Sequence, residues 1–83
     1  MRNEATVPEN ELNDFTKELV RRISISDYVW VELRNGRCVR VNISKRAHGS
    51  VFTSPDEGFS RKSWAVNGVS NVAPELDIVE IVV

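Results

Sequence analysis

The strongest structural signal in the chain lies in residues 28–43, which have the sequence YVWVELRNGRCVRVNI. Apolar and polar residues alternate on both sides of a central RNG, and this period of two is typical of strands that turn one face toward a core. The short polar interruption between the two runs is typical of a tight turn. We therefore predict a β-hairpin.

The register of this hairpin follows from the apolar pattern. A two-residue Asn-Gly turn would place Val31 opposite Arg40 and mix apolar with charged side chains on one face. A three-residue loop that ends at Gly36 instead places Val31 opposite Val39, and it gives the glycine the left-handed position that this loop type requires. We predict the three-residue loop, with Trp30 facing Arg40 on the outer side.

Upstream of the hairpin, residues 9–23 predict an amphipathic helix. Apolar side chains recur there at steps of three and four residues: Leu12, Phe15, Leu19 and Ile23. Thr6 has the spacing of a capping box with Glu9, and Asn10 is a candidate cap for a helix that starts later. Residues 1–8 are expected to be a loose lead-in, and residues 24–27 are expected to end the helix.

Downstream of the hairpin, turn residues separate several short candidate strands. In order, we predict a polar loop over 44–50, a strand over 51–53, a turn over 54–58, a strand over 59–66, a loop or short turn over 71–76 and a strand over 77–83. One helix followed by about five short antiparallel strands predicts an α+β fold. We predict a small SH3-like barrel or strongly bent sheet with the helix over one open end, because this architecture leaves few exposed strand edges. The alternative is an open sheet with the helix across one face.

Composition limits the class of protein. The 83 residues, 41% hydrophobic and 28% charged, are expected to form a single domain, 1–83, and they are too apolar for a disordered tail. The single cysteine allows no internal disulfide, and no apolar run approaches the roughly 20 residues that span a bilayer. With no signal-peptide core at the N-terminus, we expect a cytoplasmic protein without a membrane partner.

Candidate catalytic and metal-binding residues are few. Cys38 and His48 are the only thiol and the only imidazole, and neither is accompanied by a glycine elbow or an oxyanion loop. One cysteine and one histidine fall short of the three or four ligands that zinc takes. The four glycines are isolated turn residues and form no phosphate loop. We predict no enzymatic activity, no catalytic residue, no metal and no cofactor.

Charge is unevenly distributed along a chain whose net charge is −1. Residues 21–62 hold nine basic and four acidic side chains, whereas both flanking segments are acidic. This pattern is compatible with two arrangements, one of which is a surface with one basic side, suited to an anionic partner. The alternative is that acidic and basic segments neutralise each other in the fold, with Trp30 and Arg40 forming a cross-strand cation–π pair.

Two short motifs carry a resemblance to a known class of proteins. SWAVNG at 63–68 and ELDIVEI at 75–81 resemble the end of short accessory proteins of phages and mobile elements, over about residues 59–82. The resemblance implies a small bacterial or phage β-domain, commonly of unassigned function, that interferes with a host system. It brings no catalytic residues.

These observations predict a small non-enzymatic interaction module that binds a protein partner. The alternative is nucleic-acid or nucleotide binding through the basic hairpin and the loop after it. Both use the same candidate partner-binding residues: Tyr28, Trp30, Arg37, Arg40, Lys45 and Arg46. Trp64 alternates with apolar residues, so we assign it to the core.

Overall fold

One helix and five antiparallel strands make up the computed structural model, which describes Val7 and residues 12–47, 49–59 and 61–82. The elements are α1 (Asp14–Ser26), β1 (Val29–Leu33), β2 (Cys38–Arg46), β3 (Gly49–Thr53), β4 (Ser63–Ala65), a 3-10 helix (Pro74–Leu76) and β5 (Ile78–Val82). The strands lie in the order β4-β3-β2-β1-β5, so a four-strand meander is completed by β5 beside β1. The predicted α+β class is confirmed, and the sheet is curled into a half-barrel.

The β1–β2 hairpin has the predicted register. Val31 opposes Val39 and Trp30 opposes Arg40. Gly36 has a φ of 89°, the left-handed conformation that the last position of the three-residue loop requires. Alternation places Val31 in the core with no exposed surface and leaves Trp30 on the outer face.

β2 curls the sheet because its two halves have different partners. Val39 and its neighbours pair with β1, whereas Asn42 to Arg46 pair with β3. This observation corrects the predicted loop over 44–50: β2 continues to Arg46 and β3 already begins at Gly49. The polar side chains after Ile43 gave no strand pattern in the sequence, but strand pairing depends on backbone hydrogen bonds and does not require apolar residues.

The helix starts and ends later than predicted. It begins at Asp14, because the side chain of Asn13 caps it by accepting a 2.9 Å hydrogen bond from the backbone N–H of Thr16. The predicted caps Thr6 and Asn10 lie outside the described residues, as does the lead-in apart from Val7. At the other end Asp27 takes a left-handed φ of 69° and its N–H donates to the Ile23 carbonyl.

No helix in the described part of the chain has the length and apolar character needed to cross a bilayer.

The segments on either side of β4 pack on the core around Trp64. The predicted strand over 59–66 is reduced to Ser63–Ala65, because residues before it form a turn in which Phe59 stacks on Trp64 with ring centroids 6.0 Å apart. Trp64 is fully buried, as predicted, and its indole N–H donates a 2.7 Å hydrogen bond to the Leu76 carbonyl.

A short seam then joins the segment after β4 to the start of β5. The backbone N–H of Ile78 donates a 2.9 Å hydrogen bond to the carbonyl of Gly68. A second contact runs from the hairpin loop, where Arg34 N–H donates to the Asp77 carbonyl. The loop before β5 is therefore fixed between β4 and the β1–β2 hairpin.

Candidate functional site

Arg40 lies at the centre of the outer face of the hairpin. Its guanidinium carbon is 5.8 Å from the centre of the Trp30 ring and 5.9 Å from that of Tyr28. Both distances are within the range of a cation–π interaction. The cross-strand cation–π pair of the alternative interpretation is therefore present, and Tyr28 forms a second contact with the same cation. We call these three residues the Arg40 surface.

Asp56 holds Arg40 in place. The backbone N–H of Arg40 donates a 2.9 Å hydrogen bond to Oδ2 of Asp56, and the guanidinium Nη2 lies 3.3 Å from Oδ1. Since β3 ends at Thr53, this carboxylate supplies the acceptor that a neighbouring strand would otherwise provide. The connection between β3 and β4, which carries Asp56, thus orders the arginine beside the two rings.

The rings of the Arg40 surface remain accessible. Tyr28 is 45% exposed and Trp30 is 43% exposed, among the largest exposures of any apolar side chain in the described residues. Asn42 donates its side-chain N–H to the Asp27 carbonyl at 3.3 Å, which ties the backbone before Tyr28 to β2. Two aromatic side chains are therefore presented to solvent from a backbone that is held on both sides.

A groove adjoins the Arg40 surface, between the last turns of α1 and the β1–β5 pair. It is open, has a volume of about 430 Å³ and is lined by Arg21, Arg22, Ile25, Ser26, Tyr28, Val29, Trp30 and Val82. Ile25 is 71% exposed, and Val82 is the register partner of Trp30. Sequence reasoning missed Ile25, because this side chain is outside the apolar stripe that faces the core.

The basic side of this groove is organised by one carboxylate. Arg21 donates from Nε and Nη2 to the two oxygens of Glu18, at 2.9 and 2.6 Å, and Arg22 donates from Nε at 2.9 Å. The hydrogen bonds from Arg21, and then those from Arg22, lower the pKa of Glu18 to about 2. The same pairing raises the pKa of Arg21.

The other predicted contact residues lie apart from the Arg40 surface. The guanidinium of Arg37 is stacked 4.8 Å from the centre of the Phe59 ring, which Lys62 also approaches at 5.0 Å. Lys45 and Arg46 are at the distal end of the β2–β3 hairpin, opposite Ser50 and Gly49. The six residues therefore occupy three places, and only Tyr28, Trp30 and Arg40 are brought together.

The two candidate catalytic residues of the sequence, Cys38 and His48, are not both among the residues that the structure describes. Cys38 is an exposed free thiol on β2, and His48 lies outside the described residues. Within residues 12–47, 49–59 and 61–82, no three potential metal ligands are grouped closely enough to hold an ion.

Comparison of the chain with protein-family models, with curated proteins and with solved structures found no match.

Proposed function

We propose that this protein is a non-enzymatic binding module that recognises a protein partner through the Arg40 surface. One observation carries the proposal: Trp30 and Tyr28 are each more than two-fifths exposed beside an arginine that Asp56 holds in place. Tryptophan, tyrosine and arginine are the residues most enriched at the energetic centres of protein interfaces. An ordered backbone also reduces the entropy lost when such a surface binds.

The charges favour a protein partner over a nucleic acid. Arg40 is paired with Asp56, Arg34 approaches Asp77, and Arg21 and Arg22 share Glu18. These carboxylates reduce the positive potential that would attract phosphates. The chain also has a net charge of −1 and an isoelectric point of about 5.8, well below the values above 9 that are typical of nucleic-acid-binding domains.

The resemblance of residues 59–82 to phage accessory domains favours a partner that belongs to a host system. Interference through a surface contact needs no catalytic residue, which agrees with a site built from aromatic rings and an arginine. This part of the proposal rests on the resemblance and on fold-level analogy.

The proposal is tested by site-specific photo-crosslinking in cells. A photoreactive phenylalanine analogue at position 30 should capture a protein partner, whereas the same analogue at position 79, also on an exposed strand position, should not. With the partner purified, Trp30→Ala should weaken binding by roughly 30-fold, equivalent to about 2 kcal/mol. The double variant Arg37→Gln with Lys45→Gln should weaken it less.

Titration with duplex DNA distinguishes a protein partner from a nucleic-acid partner. Each neutralised phosphate contributes a slope of about −0.9 to the dependence of log affinity on log salt. We expect only weak DNA binding at physiological salt. Submicromolar DNA binding with a steep salt slope, abolished by the double basic variant and insensitive to Trp30→Ala, would replace the protein partner with a nucleic acid.

A further inference from the structure

The groove between α1 and the β1–β5 pair has a chemical character that identifies a class of ligand. We propose that it binds an acidic peptide segment that carries one apolar anchor side chain. The inference rests on the proposed function, because the groove shares Tyr28 and Trp30 with the Arg40 surface. It adds the chemistry of the partner's contact segment.

The apolar part of the groove fits an anchor side chain. Ile25, Trp30 and Val82 approach it from the helix, from β1 and from β5 respectively, so apolar surface is available on three sides. A volume of about 430 Å³ lies within the range of roughly 300–1,000 Å³ that is usual for ligand sites. Leaving Ile25 71% exposed keeps apolar area in water, and burial of that area by a ligand side chain is favourable.

The polar part of the groove selects acidic residues. Of the described residues that line it, two are arginines and none is acidic. Glu18 is the carboxylate that both arginines share, so the three side chains together retain one positive charge.

Arg22 is the side chain best placed to bind a second carboxylate. Among the described residues it donates only its Nε, to Glu18, and both terminal amino groups are left for another acceptor. A planar guanidinium binds a carboxylate through parallel hydrogen bonds, which fixes orientation as well as charge. An aspartate or glutamate adjacent to the apolar anchor would meet this geometry.

Synthetic peptides test the inference even before the partner is identified. The probes are capped nonapeptides with a central leucine, phenylalanine or tryptophan, flanked by Asp and Glu, by Ser and Gly, or by Lys. Affinity is measured by fluorescence anisotropy at low salt, and the contact is located by amide and indole shifts in nitrogen-15 NMR spectra. We expect the acidic set to bind best, with the largest shifts at Ile25, Ser26 and the Trp30 indole.

Variants assign the two parts of the groove. Ile25→Ser should weaken binding of the acidic peptides roughly tenfold, and Arg22→Gln roughly fivefold. Glu18→Gln removes the competing carboxylate and should tighten binding severalfold. Val79→Ser and Arg61→Gln change exposed residues outside the groove and should have no effect.

The outcomes separate this inference from the proposed function. Equal affinity for acidic, neutral and basic peptides, absence of binding to all three sets, or shifts located away from the groove would each overturn the acidic-peptide inference. A protein crosslinked at position 30 and lost on Trp30→Ala would still uphold the proposed function in those cases. Acidic peptides that bind in the groove and compete with the captured partner support both.

Discussion

The backbone N–H of Arg40 and the carboxylate of Asp56, sixteen residues later in the chain, are joined by a 2.9 Å hydrogen bond. This bond occupies the edge of β2 at a point that β3 no longer covers, and the guanidinium of the same arginine contacts the same carboxylate. Hydrogen bonds to an ionised acceptor are stronger than neutral ones. One carboxylate therefore secures both the strand edge and the arginine of the candidate binding surface.

Asp56→Ala should destabilise the fold by about 2 kcal/mol, because it leaves the Arg40 N–H without its charged acceptor. Urea unfolding measures the loss. Glu57→Ala is the matched control, since it removes the adjacent, exposed carboxylate and should cost less than about 0.5 kcal/mol. Equal effects of the two substitutions would show that the bond contributes nothing specific.

Gly68→Ala should destabilise the protein more than Gly36→Ala or Gly58→Ala. All three glycines have φ near 90°, which costs an L-residue about 1–2 kcal/mol. Only at Gly68 does an added Cβ also meet a neighbour, the Ile78 carbonyl oxygen at 3.2 Å. Thermal unfolding of the three variants isolates the steric contribution. A Gly68→Ala variant no less stable than the other two would contradict the close contact between Gly68 and Ile78.

The Glu18–arginine cluster should stabilise α1 in a pH-dependent manner. The pKa of Glu18 is about 2 in the folded state, below its ordinary value of 4.5, so its stabilising effect is complete above pH 4.5 and is lost as pH falls toward 2. The difference in unfolding free energy between the wild type and Glu18→Gln should vanish over that interval. A carboxyl titration by NMR that places the Glu18 pKa above 4 would contradict the cluster, and high salt should weaken it.

Glu80→Lys should stabilise the sheet by about 0.5 kcal/mol. Glu80 on β5 is the register partner of Glu32 on β1, and directly opposed like charges disfavour strand pairing. The substitution converts the pair to opposite charges, so the gain should shrink in high salt. Glu57→Lys makes the same charge change in a turn, and an equal gain there would assign the effect to net charge.

The hairpin and the core could be predicted from the sequence because the apolar alternation and the turn residues favour the same strand register. The alternation around Val31 and Val39 and the glycine at position 36 independently favour one register, and the structure has it. In a separate segment, the alternation of Trp64 with Val66 assigns Trp64 to the core, and this side chain is fully buried. The facing of Trp30 and Arg40 follows directly from the hairpin register.

Other elements depend on contacts that a linear pattern does not contain. Leu12 is buried although it precedes the helix, so the apolar stripe predicts a start of α1 that lies before its Asn13 cap. At the end of α1, Ser24 bonds its hydroxyl to the Val20 carbonyl and the helix continues through a sequence typical of a terminus. The contribution of Asp56 to the site was not predictable, since the turn that carries it is remote in sequence from Arg40.

The position of β5 in the sheet has a consequence for folding kinetics. β1 to β4 pair with their sequence neighbours, but β5 pairs with β1, joining Ile81 to Val31 across more than half the chain. Closing so long a loop costs entropy that local hairpins avoid, so we expect β5 to dock after the rate-limiting barrier.

Stopped-flow measurements on two variants check this order. Val39→Ala in the hairpin should slow folding, whereas Ile78→Ala in β5 should mainly accelerate unfolding. Until β5 docks, one edge of β1 has unpaired backbone groups, and any other extended chain can compete for it. The edge of β1 that β5 covers is therefore the place where a partly folded chain would pair with another copy at high concentration.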